Sequence, residues 1–548
     1  MTLIRQVLLN TAATLASISM LAQIPAAQAQ TVAKPTAAAP GEQTAPTQQP
    51  RNIIFVLVDD LRYDMMGFLN PGLKTPNIDF LARNGVYFKN AAVTSSLCSP
   101  SRATILTGES VRNHRVVDNN DSSEDGLTFF PSYLQKAGYN TAFFGKWHMG
   151  WDNDKPRPGF DHWVAFKGQG TYFPTEQLSP AAIAAGERQT LNVDGRSVPR
   201  KGYITDELTD YAMDWLEHGR DPKKPFFLYL SHKAVHSEAT PPERYAHQYD
   251  GMKIDLPDTM ANTPENNKGK PMWVQDQRNS WHGADFPFAT NQSLSDMTRS
   301  IYRTLSPIDD SLGRIIAYLK RAKLDRNTMI VFYSDNGYLI GDHGLTDKRN
   351  AYEPSVRVPM VVYAPNLAPK GAVNEARVRN LDLAPTFLDM AGLAKPAQME
   401  GDSWLSLIQG RQSSRDWNAT HDFIYEYYWE WTVPFTPTTF AIERNRVKYI
   451  QYYGVWDTEE VYDLNKDPDE RVNLVNDPAY KDIKITLRST LYQKLANASG
   501  RHDIPFTAKL GPGVLQRDRN GTHRADFPAS WYVQPDLPTR FDGYRPEK

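Results

Sequence analysis

The sequence predicts an α/β fold: a large, mostly parallel sheet flanked by helices, followed by a smaller C-terminal antiparallel-sheet domain. Three observations carry this. Four short, near-continuous apolar runs each stop abruptly in polar residues, as strands covered on both faces do. Helical patterns lie between them, and after about residue 410 closely spaced aromatic and β-branched runs take over. The chain has 548 residues, of which 40% are hydrophobic and 11% aromatic, enough to bury such a core.

The elements follow in chain order. Arg5, an apolar stretch over 7–25 and the small residues Ala27 and Ala29 have the order of a signal peptide, so 1–29 is expected to be removed on export, to the periplasm or beyond. Asn10, Thr11, Thr14 and Ser17 dilute the stretch, and no membrane anchor is expected. Residues 30–50, rich in Ala, Pro, Gln and Thr, read as a flexible leader. The catalytic α/β domain then spans 51–410, with buried strands at 53–58, 141–144, 226–230 and 329–333 and a further strand at 360–363. Ile301, Leu305, Ile308, Leu312, Ile315 and Leu319 recur three or four apart, which makes 294–322 an amphipathic helix feeding the fourth strand. In the C-terminal region, 411–548, the runs 425–431, 440–442 and 448–453 predict a small antiparallel sheet. A helix over 482–497 is expected to pack on it, followed by an extended tail. The net charge of −2 gives no general attraction to nucleic acid or an acidic membrane, so any anion must be bound locally.

The chemistry stands where the strands end. Strand one stops in Asp59-Asp60, strand two in Gly145-Lys146-Trp147-His148, strand three leads to His236, and strand four stops in Asp335-Asn336. In open α/β sheets ligands bind outside the carboxyl ends of the strands, so these groups converge on one rim. Asp59, Asp60, Asp335 and Asn336 supply only hard oxygen ligands, which suit Ca²⁺, or less well Mg²⁺, rather than zinc or copper. Three carboxylates in one cleft need such a cation to offset their repulsion.

Cys98 is the only cysteine, an unusual count for an exported chain of this size. It opens the segment Cys98-Ser99-Pro100-Ser101-Arg102, in which Pro100 fits only a helix's first turn, and Gly108 is a natural stop. A helix N-terminus favours an anionic ligand, and Arg102 one turn on adds a planar cation for an oxyanion.

Cys-x-Pro-x-Arg resembles the signature of the type I sulfatases of the alkaline phosphatase superfamily. Asp59-Asp60, the run Gly145 to Gly150, Ser334-Asp335-Asn336-Gly337, His236 and Lys348 are similar to that family's other motifs, in the same order, although Val235 stands where a proline is usual. The run Val461 to Leu464 resembles part of its small C-terminal domain. The resemblance implies that Cys98 is converted to formylglycine (3-oxoalanine) by a formylglycine-generating enzyme. It implies one Ca²⁺ held by Asp59, Asp60, Asp335, Asn336 and an oxygen of residue 98, and a diol nucleophile that passes through a sulfated-enzyme intermediate. Arg102 and Lys146 would hold sulfate oxygens, His148 would take the second hydroxyl's proton, and His236, helped by Lys348, would protonate the leaving group.

Two rivals stand beside this reading. One is a phosphoester or phosphonate monoester hydrolase on the same scaffold; the other is an inactive carbohydrate-binding relict using Trp273, Trp281, Trp429, Trp431 and Trp456. The expected substrate is a sulfated carbohydrate rather than a simple aryl sulfate, with specificity in the long insertions 152–202 and 241–292.

Overall fold

The computed structural model describes residues 52–496 apart from 121–123, 151–152, 281, 286–292, 431 and 454–456. The expected signal peptide, leader and tail lie outside these residues. The strands are β1 (Asn52–Val58), β2 (Val86–Phe88), β3 (Asn140–Lys146), β4 (His162–Phe166), β5 (Thr190–Val193), β6 (Arg196–Pro199), β7 (Phe226–Ser231), β8 (Thr328–Ser334), β9 (Leu339–Ile340), β10 (Thr346–Asp347), β11 (Met360–Tyr363), β12 (Ala372–Asn374), β13 (Phe423–Tyr427), β14 (Thr438–Arg444), β15 (Val447–Tyr453) and β16 (Glu460–Asp463). The helices that matter here are α1 (Cys98–Thr107), α2 (Ile204–Asp214), α3 (Leu294–Arg321), α4 (Leu383–Met390) and α5 (Lys481–Ala496).

Among the described residues a ten-stranded sheet runs in the order β12-β2-β11-β8-β1-β7-β3-β4-β5-β6. Its centre, β8-β1-β7-β3-β4, is parallel. Alternation along β1 explains the continuous apolar run. Ile54, Val56 and Val58 share one core with Leu208 and Ala212 of α2 and with Ile301, Leu305 and Ile308 of α3. Ile53, Phe55 and Leu57 share the other with Ile105 and Leu106 of α1 and Phe387 and Leu388 of α4. With both faces covered, no position in the strand faces water. The strand expected at 360–363 forms as β11 but runs antiparallel to β8 and β2, which makes the sheet mixed.

The small sheet is antiparallel, β13-β14-β15-β16. Its fourth strand, β16, escapes the periodicity reading because it is short and lies within a polar stretch. Leu487 and Leu491 of α5 pack on Phe440, Ile442, Tyr449 and Val461. The opposite face, with Tyr425, Ile450 and Tyr462, packs on Leu97, Leu345 and Tyr352 of the large unit.

A buried ionic network pins that junction. Glu353 accepts from Arg377 at 2.8 and 3.1 Å and from Lys448 of β15 at 2.8 Å, and Lys448 also reaches Glu470 at 2.8 Å. Removing one member leaves uncompensated buried charge. Glu353→Ala is therefore expected to cost about 3–5 kcal/mol, read as a lower urea midpoint. A loss below about 1 kcal/mol would show that this network does not anchor the small sheet.

Candidate active site

Register brings the motif residues together. Val58 pairs with Ser334, and Leu57 and Gly145 both pair with Ser231, so β1, β8, β7 and β3 end side by side. The chain after β7 continues beside β1: Asp59 N–H donates to the Ala234 carbonyl at 3.0 Å and Val235 N–H to the Asp59 carbonyl at 2.8 Å. Gly145 has φ +120, and a Cβ there would lie 1.8 Å from the Ser231 carbonyl oxygen. Only glycine lets β3 approach so closely and deliver Lys146 to the rim. Asp60 (φ 62), His148 (φ 57), Asp347 (φ 83) and Arg349 (φ 80) hold left-handed backbone at or beside the site, where function concentrates such strain.

Cys98 is the first residue of α1, which ends at Gly108 in the left-handed conformation. Its Sγ lies 3.7 Å from Asp59 Oδ1 and 3.4 Å from Lys348 Nζ. Lys146 is ion-paired to Asp59, and Lys348 to Asp60. Ser99 N–H donates to Asn119 Oδ1 at 2.9 Å, and Ser99 Oγ lies 3.4 Å from His148 Nδ1. All of these side chains except Asn119 are buried, and His236 is partly buried.

The donor set can be tested against a cation. Carboxylate oxygens of Asp59, Asp60 and Asp335 lie within 4.8 Å of one another. Asp60 Oδ2 and Asn336 Oδ1 are buried without a hydrogen-bond donor. Two unfilled oxygen acceptors among three carboxylates fit a hard divalent ion. The electrostatics agree: burial, with Asp59 close by, pushes Asp335 up to about 7. Burial also raises Asp60, with Asp59 adding to it. Burial acts on Asp59 too, but the charge of Lys146, with Arg102 and Lys348 behind it, outweighs burial and holds Asp59 well below the usual carboxylate range. Burial pushes the Cys98 thiol up to about 12. Burial, then Lys146, holds His148 and His236 well below the ordinary histidine range, so both are neutral at pH 7.

The structure refines two placements. Arg102 is bound into the rim on one side: its Nε donates to Asp335 Oδ2 at 2.9 Å, and its NH1 to the Lys146 carbonyl at 2.6 Å and to Ser231 Oγ at 2.8 Å, while its NH2 makes no hydrogen bond among the described residues and lies 3.7 Å from Asp59 Oδ1. A guanidinium so engaged also orients Asp335. His236, expected to serve the leaving group, also approaches the acidic pairs, with Nε2 3.8 Å from Asp60 Oδ2. Its Nδ1 bonds the Ser237 carbonyl, so Nδ1 carries the proton and Nε2 faces the site.

Ser231, Tyr172 and Lys233 belong to the same rim and carried no signal of their own, since nothing in spacing separates them from neighbouring strand and loop residues. His282, 3.2 Å from Asp347, also borders the site. His114 is a core histidine, 3.0 Å from Thr104 Oγ1. His343 stacks 4.4 Å from Tyr352, under the small sheet. Trp273 is only 6% exposed, its ring edge-on to Tyr452, and cannot stack on a sugar. Trp429 is partly buried, its indole N–H on the Pro434 carbonyl at 3.1 Å. Trp281, Trp431 and Trp456 lie outside the described residues. No described helix is long and apolar enough to cross a membrane.

Comparison with known proteins agrees with this geometry. The sulfatase family model matches residues 51–393, and a model of the N-sulphoglucosamine sulphohydrolase C-terminal region matches 341–497. An N-acetylglucosamine-6-O-sulfatase of Bacteroides thetaiotaomicron is 30% identical over 499 residues, covering 80% of this chain and 85% of that protein. An arylsulfatase of Clostridium perfringens is 31% identical over 479 residues, covering 81% and 94%. A solved structure described as a complex with its substrate D-glucosamine-2-N,6-O-disulfate superposes with a TM-score of 0.72 at 27% identity, covering 83% of this chain and all of that one. With its strand-end carboxylates, its lysines and Cys98 gathered at one rim, the chain belongs to the sulfatase family, the hydrolases of sulfate esters.

Proposed function

We propose that the protein releases sulfate from a sulfated carbohydrate, with residue 98 acting as formylglycine made from Cys98 by a formylglycine-generating enzyme. The observation that carries this is the setting of Cys98: the first residue of α1, 3.7 Å from Asp59 and 3.4 Å from Lys348. An unmodified thiol pushed up to about 12 is a poor nucleophile at neutral pH, which supports a modified residue there. Formylglycine hydrated to a diol offers one hydroxyl to attack sulfur and a second whose deprotonation releases sulfate.

Asp59, Asp60, Asp335 and Asn336 would hold a divalent cation, Ca²⁺ in preference to Mg²⁺ because the donors are all oxygen and come from flexible side chains. Such an ion, when bound, polarises the oxygens around it. The chain's own groups do the rest. Asp335, raised to about 7 and held in place by Arg102, accepts the attacking hydroxyl's proton, while Asp59 faces residue 98 as a paired, ionised carboxylate. Lys146 and Lys348 offset charge on the sulfate oxygens. His148, neutral at pH 7, takes the proton of the second hydroxyl. His236 protonates the leaving oxygen through Nε2, and because it rests neutral, it must take up a proton from solvent as the substrate binds, the substrate's negative charge favouring imidazolium. The carbohydrate substrate is supported by the relative and the solved complex named above. Export through the N-terminal segment is part of the same reading.

Sulfate release from a panel of sulfated saccharides, beside an aryl sulfate and an aryl phosphate, tests the proposal; faster turnover of the phosphate would favour phosphoester hydrolysis. A second expectation concerns the metal. Asp335 at about 7 is protonated in acid, so a cation must displace that proton. The affinity of metal-free protein for Ca²⁺ should rise as pH increases towards about 7 and level off above it, measured by calorimetric titration between pH 5 and 8. A pH-independent affinity, or purified protein carrying stoichiometric zinc, would contradict this ligand set.

A further inference from the structure

A third lysine stands at the same strand ends and has no part in the chemistry above. Lys233 lies between β7 and His236, in the stretch that runs beside the end of β1, and is 4% exposed. Its Nζ sits 4.7 Å from the centre of the Tyr172 ring, and the Tyr172 hydroxyl donates to the His236 carbonyl at 2.7 Å. Lys233 and the His236 segment thus share one support, supplied by the insertion between β4 and β5. Lys146 and Lys348 each have a carboxylate partner. Lys233 has none: among the described residues, no hydrogen bond is made by its ammonium and no carboxylate lies within 4.0 Å; the like charge of Lys146 acts on it first, and Asp59, Glu176 and Asp60 act from farther than pairing distance.

An ammonium left with little contact to water and no counterion is disfavoured, and folded chains normally pair such a group. The aromatic face of Tyr172 offsets only part of that cost. In an enzyme whose substrates are anions, the missing partner can arrive with the substrate. In the mechanism proposed above the scissile sulfate meets Lys146 and Lys348 beside residue 98, whereas Lys233 belongs with His236, whose N–H donates to the Lys233 carbonyl at 3.1 Å and which would serve the leaving group. We propose that Lys233 binds a second anionic substituent, a sulfate or a carboxylate, on the leaving-group part of the substrate. The preferred substrate is then a multiply charged glycan, an inference that rests on the carbohydrate reading above.

The test uses the full-length enzyme with residue 98 matured, and three sugars: a monosulfated disaccharide, the same disaccharide with a second sulfate, and one with a uronate carboxylate. Wild type is expected to favour one or both doubly charged sugars by about tenfold or more in kcat/KM, the size of a charge-assisted contact. The two arms tell sulfate from carboxylate. Lys233→Met should lower that preference about tenfold, mainly through KM, and Lys233→Arg should largely keep it. Equal kcat/KM of wild type on all three sugars overturns the proposal whatever the variants do. So does a preference unchanged in a folded Lys233→Met enzyme. Sulfate release from an aryl sulfate but from none of the sugars overturns the carbohydrate reading, and this proposal with it.

Discussion

Cys98→Ala is expected to abolish turnover while leaving the fold intact. A methyl group offers no oxygen to attack sulfur, and removing a nucleophile costs on the order of a millionfold in kcat. The stability cost is small, about 1 kcal/mol for one buried atom, because Sγ fills a site lined by charged groups and supports no apolar layer. Cys98→Ser should fail differently. Its single hydroxyl can attack once, beside the same Asp59 and lysines, but no second hydroxyl remains to drive sulfate out. A stoichiometric burst followed by a stall, with the sulfated serine visible in the intact-protein mass, is the expected record. Steady multiple turnover by either variant would rule out the formylglycine mechanism, whereas a burst from serine alone would support it.

His236→Ala is expected to slow sugar and alkyl sulfates by roughly a hundred- to ten-thousand-fold, the usual worth of a general acid where the leaving group needs its proton. Nitrophenyl sulfate, whose leaving group departs as a stable anion, should lose least. The measurement is kcat/KM across aryl and alkyl sulfates of graded leaving-group pKa; the variant should show the steeper dependence. The 3.8 Å separation of Nε2 from Asp60 Oδ2 makes the rival explanation concrete. A histidine that supports the carboxylates would, when removed, lower the rate equally across the series and reduce the bound metal, so metal content is measured on the same samples.

Much of this was legible in the chain itself. The apolar runs located β1, β3, β7 and β8 to within a residue or two, because strands buried on both faces must be apolar at every position. The helix of residues 294–321 followed from spacing in the same way, and the helix expected over 482–497 forms at 481–496. Polar residues at the strand ends marked the rim, since the carboxyl end of a parallel sheet is where backbone order stops and ligands bind. Pairing at that rim was beyond reach of periodicity. Arg102 meets Asp335 across 233 residues of sequence, and Lys348 meets Cys98 across 250. Which of several cations takes which carboxylate is set by strand register and by the close approach at Gly145, not by any local pattern. So the sequence by itself determined the central strands, the segment around Cys98 and most of the charged groups at the rim. The tertiary structure alone decided that Arg102 is held by Asp335, that His236 turns toward Asp60, and that Lys233 is left without a counterion. Burial leaves a periodic trace in the sequence, whereas the partnership of charges is fixed only when distant segments are brought within a few ångströms of each other.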